Sequence, residues 1–253
     1  MEWIDDAILL SVRPLGETGV VAEVLSRNHG RHAGLVYGGN SKRLAGTLQV
    51  GNSVKATWRA RLAEQLGNFV FEIERSRAVE LMDRPLKLAG IQAAAGVLAI
   101  ALPEREPHET IFASLNALLD VGESLSPLEW AAMYVAWESG LLQELGFGLD
   151  LTQCAATGTA NDLAFVSPRT GRAVSRAAGQ GYVDRLLRLP QFLISREEQD
   201  VTPHDVLDGL KLTGFFLERQ VFHPHNKPEP PARTRFTEMV AHPRHAQGSE
   251  SAS

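Results

Sequence analysis

Residues 53–63 read SVKATWRARLA. Lys55, Thr57, Arg59 and Arg61 alternate with Val54, Ala56, Trp58, Ala60 and Leu62, the period of two that turns successive side chains to opposite faces of a strand. One face is basic and the other is core, so Trp58 belongs to the interior rather than to a base-stacking surface. The pattern predicts a half-buried strand over residues 53–63. Four more segments alternate in the same way, near Ala7–Arg13, Gly19–Ser26, Arg31–Tyr37 and Phe69–Arg77. Turn residues separate several of them: NHG at 28–30, GGN at 38–40, and GN at 51–52 and 67–68. Five short strands in the first 80 residues predict a small barrel, because closure removes the exposed edges of a flat sheet.

The wider stretch Leu25–Ala63 holds seven Lys or Arg, two His and no Asp or Glu, in a chain of net charge −5. Arg27, Arg31, Lys42, Arg43, Lys55, Arg59 and Arg61 fall on neighbouring strands and the loop between the third and fourth, where closure would bring them onto one surface. Such a surface binds nucleic acid by releasing counterions from phosphates. The plainer reading is a solvated face that keeps the domain soluble; the exclusion of every carboxylate favours binding. Tyr37, at a strand end beside GGNSKR, is open to either a packing or a base-stacking role.

From Pro85 the period becomes helical. Helices are expected near Pro85–Ala101, Pro107–Val121, Pro127–Leu145, Gly181–Leu189 and Pro203–Phe222. SPLE at 126–129 and TPHD at 202–205 supply capping boxes, with Ser126 and Thr202 as caps and Glu129 and Asp205 reaching back. Pro107 fits a first-turn position. Leu128, Ala131, Ala132, Val135, Leu142 and Leu145 form the buried stripe of a bundle helix, with Gly146 as its stop. Residues 223–253, rich in Pro, His, Ser and Ala, read as a mostly disordered tail.

The apolar run Leu88–Leu102 is too short to span a bilayer and is interrupted by Gln92 and two glycines. The N-terminal MEWIDDAILL places carboxylates where an export signal needs positive charge. A single cysteine, Cys154, excludes an internal disulfide framework, and these features together predict a cytoplasmic protein.

Few motifs point to catalysis. YGGNSKR at 37–43 lacks the spacing of a phosphate-binding loop and reads as a hairpin loop presenting Lys42 and Arg43. His223, His225, His242 and His245 crowd the tail without a scaffold to fix metal geometry. Cys154 reads as a buried or loop thiol, and no acid pair, catalytic triad or dinucleotide fingerprint stands out. Cys154, Thr157, Ser175 and Ala178 follow the spacing of a zinc ribbon, C-x2-C-x17-C-x2-C, with three of four ligands replaced.

The order of parts resembles the RecO family of bacterial recombination mediators. ELGFGLDLTQCAATG at 144–158 and SPRTGRAVSRAAG at 167–179 carry the resemblance most specifically, and it extends over residues 1 to about 220. It implies an α+β fold: an N-terminal five-stranded OB-like β-barrel over 1–80, then an α-helical bundle over 81–222 containing a degenerate, zinc-ribbon-like hairpin at 150–180. The family's zinc ligands fall on the four positions above, of which Cys154 alone is retained, so a metal-free hairpin is expected and no cofactor.

The resemblance further implies a non-enzymatic role in DNA repair. The expected partners are single- and double-stranded DNA, RecR, the acidic C-terminal tail of the single-stranded DNA-binding protein and, indirectly, RecA; the expected site is the cytoplasm, at the nucleoid, with no membrane partner. Arg185, Arg188 and Lys211, on helices rich in Leu and Phe, are candidates for the pocket that takes the acidic tail. Two other classes stay open: an adaptor whose basic face docks an acidic protein, and a small hydrolase using Cys154 or a carboxylate.

Overall fold

The computed structural model describes residues 1–62, 64–195 and 200–242. Five strands come first: β1 (Glu2–Leu15), β2 (Gly19–Ser26), β3 (Gly30–Val36), β4 (Ser53–Arg59) and β5 (Asn68–Arg75), with a short helix α1 (Lys42–Ala45) between β3 and β4. Their order is β1-β2-β3-β5-β4, and β4 pairs back onto β1, so the sheet closes on itself. One long strand makes this closure. The first half of β1, Glu2–Ile8, pairs with β4 and the second half, Ala7–Leu15, with β2, and the ladder shifts register between Leu9 and Ser11. A bulge of this kind bends the strand and turns it from one partner to the next.

The alternation in β4 has the expected consequence. Val54, Ala56 and Trp58 enter a core with Ala7, Leu9, Val20, Ala22, Val24, Val36, Leu48 and Phe69. Trp58 is 2% exposed, and its indole N–H donates to the Leu66 carbonyl at 3.0 Å. Gly67 makes this turn possible. Its φ is +66°, and a Cβ there would stand 2.5 Å from the Trp58 ring. Trp3 stacks between Trp58 and His29, at ring-centre distances of 5.9 and 4.3 Å, and His32 meets Trp3 and Trp58 edge-on.

The helices of the first compact unit are α2 (Arg77–Glu80), α3 (Pro85–Ala101) and α4 (Glu109–Asp120). This unit comprises Met1–Glu123 with Pro230–Thr234; the second comprises Ser124–Glu229 with the chain from Arg235. Helix α3 is apolar on nearly every side, the composition of a helix buried all round. Pro107 precedes the α4 cap, His108, instead of lying in its first turn.

In the second unit, α5 (Pro127–Glu144) precedes the strands β6 (Leu163–Val166) and β7 (Ala173–Ser175), the short helix α6 (Arg176–Gly179), the strand β8 (Leu187–Arg188) and α7 (Pro203–Leu217), which continues as a π-turn over Glu218–Phe222. Both capping boxes form, Ser126 with Glu129 and Thr202 with Asp205, and Gly146 ends α5 at φ +83°. Strand order β7-β6-β8 makes a small sheet. Glu138 on α5 is fully buried; it accepts from Tyr134 at 2.9 Å and from Thr213 on α7 at 2.5 Å.

Two expectations need correction. Residues 181–189 form one 3-10 turn, Val183–Arg185, and then β8, not a helix. Leu187 and Arg188 pair with Val166 and Phe165 on β6, and Pro190 follows, which disfavours helix in the residue before it. The expected tail also contains a helix, α8 (Pro231–Ala241). Phe236 is 0% exposed against Trp130 and Tyr134, and Val240, four residues on, is 1% exposed. Apolar anchors at i and i+4 order this segment despite its polar composition. His245 and the rest of 243–253 lie outside the described residues.

Candidate nucleic-acid interface

The seven cations of residues 25–63 do not share one environment. Arg31 is 14% exposed; its guanidinium pairs with Glu23 on β2, and its Nε donates to the Leu102 carbonyl at 2.9 Å. Arg27 lies 3.6 Å from Asp6 and 5.0 Å over the Phe112 ring. Lys55 donates to Asp6 at 2.5 Å and Arg59 to Glu2 at 2.8 Å. These hydrogen-bonded carboxylates hold the pKa of Lys55 and of Arg59 above their ordinary values. The face that reads as purely basic along β4 is therefore matched by acids on β1, in register with it: Glu2 opposite Arg59 and Asp6 opposite Lys55.

Lys42, Arg43 and Arg61 are different. All three are exposed, and none has an ion pair among the described residues. Lys42 and Arg43 follow β3 and Arg61 follows β4, strands of opposite sense, and the Ala60 amide beside Arg61 donates to the Met1 carbonyl at 3.0 Å. Val36, the last residue of β3, pairs with Val20 beside the β1–β2 turn, and the Leu35 amide donates to the Gly67 carbonyl of the β4–β5 loop at 3.0 Å. Asn40 fastens the 38–41 turn to the β1–β2 turn, its backbone amide donating to Thr18 and its side chain to the Glu17 carbonyl at 3.0 Å. Lys42 and Arg43 begin α1 instead of standing in a simple hairpin loop, and Leu44 on that helix packs against the core. Arg13, near the end of β1, joins them: it too is exposed and lacks an ion pair among the described residues. Nothing near Arg13 in the sequence marks it, because it sits outside the acid-free stretch.

In the second unit, Arg185 ends the 3-10 turn, Arg188 on β8 lies 5.6 Å over the Phe165 ring, and Lys211 is exposed on α7, which packs on β8. Only Lys211 is helical. Tyr182 beside them is 60% exposed.

The four zinc-ribbon positions do not supply a metal donor set. Ala178 has no ligating atom, and the sulfur of Cys154 accepts a hydrogen bond from the Ser175 amide at 3.2 Å. No group of three or more His, Cys, Asp or Glu among the described residues is placed to hold a metal ion. Burial raises the Cys154 thiol, but hydrogen bonds from Ser175, Thr157 and the Ala156 backbone outweigh it and bring the pKa down to about 6. No helix of the described residues is long and apolar enough to cross a membrane.

The sequence matches recombination protein O in two parts: its N-terminal family over residues 1–77 and its C-terminal family over residues 82–229. The chain belongs to the RecO family. It is 53% identical to the DNA repair protein RecO of Rhodospirillum centenum over 240 residues, which is 94% of each chain. It is 52% identical to the RecO of Phenylobacterium zucineum and 51% to that of a Caulobacter species, over 92% of this chain and 95% of theirs. The five-stranded sheet followed by a helical region is the arrangement expected of RecO. The two family matches meet between residues 77 and 82, whereas the compact units divide after Glu123, so α3 and α4 pack with the strands although they match the C-terminal family.

Proposed function

We propose that this RecO-family DNA repair protein is a non-enzymatic recombination mediator that binds single- and double-stranded DNA through the unpaired cations of an OB-like barrel. The observation that carries this reading is that Lys42, Arg43 and Arg61, in the segments that follow β3 and β4, are exposed and have no carboxylate partner among the described residues. Cations already paired within the protein gain little from a phosphate, whereas unpaired ones release the full counterion entropy. Contacts to the sugar-phosphate backbone leave bases free to pair, so annealing of complementary strands needs no bond-making residue. Family membership supports the further partners: RecR, the acidic tail of the single-stranded DNA-binding protein, and RecA, which would be loaded onto the coated strand. For that tail we assign the surface of Arg185, Arg188 and Lys211, and for the compartment the cytoplasm.

The test is fluorescence anisotropy of a labelled single-stranded oligonucleotide across a salt series. Wild type is expected to bind with a steep inverse salt dependence. Lys42→Gln with Arg43→Gln should flatten the log–log slope by about 1.4, two single-strand phosphates' worth. A folded double mutant with unchanged slope would remove these residues from the site. Absence of binding at low salt would make these residues a docking surface for an acidic protein.

A further inference from the structure

We infer that the outer face of β1, β2 and β3 carries a base-stacking strip, with Tyr37 as its stacking ring and Arg13 as its phosphate contact, that selects single-stranded over double-stranded DNA. This rests on the DNA-binding reading above. The strip follows from strand register. Arg13 stands opposite Val21 on β2, and Val21 stands opposite Leu35 on β3, so the three form one row across the sheet. Adjacent strands lie about 4.8 Å apart, which puts Arg13 and Leu35 about 10 Å from each other.

Two residues further along β1 the same face continues into Leu15, and Tyr37 opens the turn that directly follows β3. Val21 and Leu35 are half-buried, Leu15 is 49% exposed and Tyr37 is 72% exposed. An aliphatic floor thus ends in an open aromatic ring, with Arg13 at one side and Lys42 and Arg43 following the ring in the chain. Two carboxylates belong to this region: Glu23, which is held by Arg31, and Glu17 in the exposed β1–β2 turn.

The ring is presented by a fixed turn. Gly38 has φ +65°, the Ser41 amide donates to its carbonyl at 3.0 Å, and a Cβ on Gly39 would stand 2.4 Å from Val20. Tyr37 has neither a hydrogen bond nor a ring contact among the described residues. A half-exposed aliphatic floor and an unpartnered aromatic ring, bordered by unpaired cations, match a polymer that offers apolar faces and negative charge together. Single-stranded DNA does so. In a duplex those faces are stacked inside, and the ring has nothing to cover.

The experiment compares three labelled probes by anisotropy: an oligothymidylate, an abasic deoxyribose-phosphate strand of equal length, and a duplex. Wild type should bind the oligothymidylate about tenfold more tightly than the abasic strand. Tyr37→Ala should abolish that margin and leave abasic and duplex binding unchanged, whereas Tyr37→Phe should keep it. Arg13→Gln should weaken binding to all three. A circular-dichroism melt of each variant separates these losses from unfolding. Equal binding of the two single strands by wild type, or a margin that survives Tyr37→Ala, would overturn the stacking strip while leaving phosphate binding intact. No binding to any probe would overturn both readings.

Discussion

Arg59 and Glu2 stand opposite each other in register on β4 and β1, with the guanidinium Nη2 2.8 Å from the carboxylate. Four residues along β4, Lys55 meets Asp6 in the same way. A face that carries only cations along its own strand is nearly neutral once its neighbour is in place.

Removing the neighbour's charge should therefore expose the cations. Glu2→Gln with Asp6→Asn is expected to raise affinity for single-stranded DNA severalfold at low salt and to steepen the salt slope. Arg59→Gln alone should weaken binding less than Arg61→Gln. An anisotropy titration in which Arg59→Gln has the larger effect would show that phosphate displaces Glu2 from its partner.

Arg31 is expected to act on stability rather than on DNA. With Glu23 buried beside it, Arg31→Ala leaves a carboxylate without its charge partner, a loss of about 3 kcal/mol. Urea denaturation should show this as a lower midpoint, while DNA binding by the folded fraction stays close to wild type.

Acid should destabilise the barrel through His32. This ring is 4% exposed and neither nitrogen has a hydrogen-bond partner among the described residues. Burial, with the nearby charges of Arg105 and His29, lowers its pKa from 6.5 to about 4. Between these values the unfolded chain takes up a proton that the folded chain refuses, so the contribution is complete above pH 6.5 and falls away towards pH 4. The full loss is about 3 kcal/mol. Asp5, whose pKa is lowered from 3.8 by Ser26, Asn28 and His29 against the effect of burial, acts only below this window. Denaturation midpoints at pH 7.5 and pH 5 measure the effect, and His32→Leu should reduce the difference between them.

Cys154 should act in the same direction over a higher pH range. Its thiol is lowered from 9.0 to about 6, so the folded state releases its proton first and gains stability as pH rises from 6 to 9. Cys154→Ala should cost more at pH 8.5 than at pH 6, and a chelator should leave the wild-type midpoint unchanged. A midpoint that drops with chelator would show that this hairpin holds a metal.

The legible parts of the fold were those written locally. The two capping boxes and Gly146 as a helix stop depend on neighbours within a few positions, and the structure has them as read; the strand read over 53–63 forms but ends at Arg59, which leaves Arg61 outside it. The start of β1 was hidden because its inward position at residue 5 is an aspartate. That buried carboxylate is satisfied by Ser26, Asn28 and His29, which lie more than twenty residues away. The candidate site was half legible for the same reason. The excess of Lys and Arg is a local count, but their pairing with Glu2, Asp6 and Glu23 depends on strand register, and Arg13 joins the site only through the β1–β2 ladder. Helix α8 was missed because two apolar anchors, Phe236 and Val240, outweigh a composition that otherwise reads as coil.

The aromatic stack has one more use. The chain has four tryptophans; Trp3 and Trp58 sit in the barrel's ring cluster, and Trp130 and Trp137 on α5. Intrinsic emission therefore comes in equal numbers from the two compact units, without any label. With Trp3→Phe and Trp58→Phe, the remaining signal would follow the second unit alone, and its difference from wild type would trace the barrel's melting as a separate optical channel.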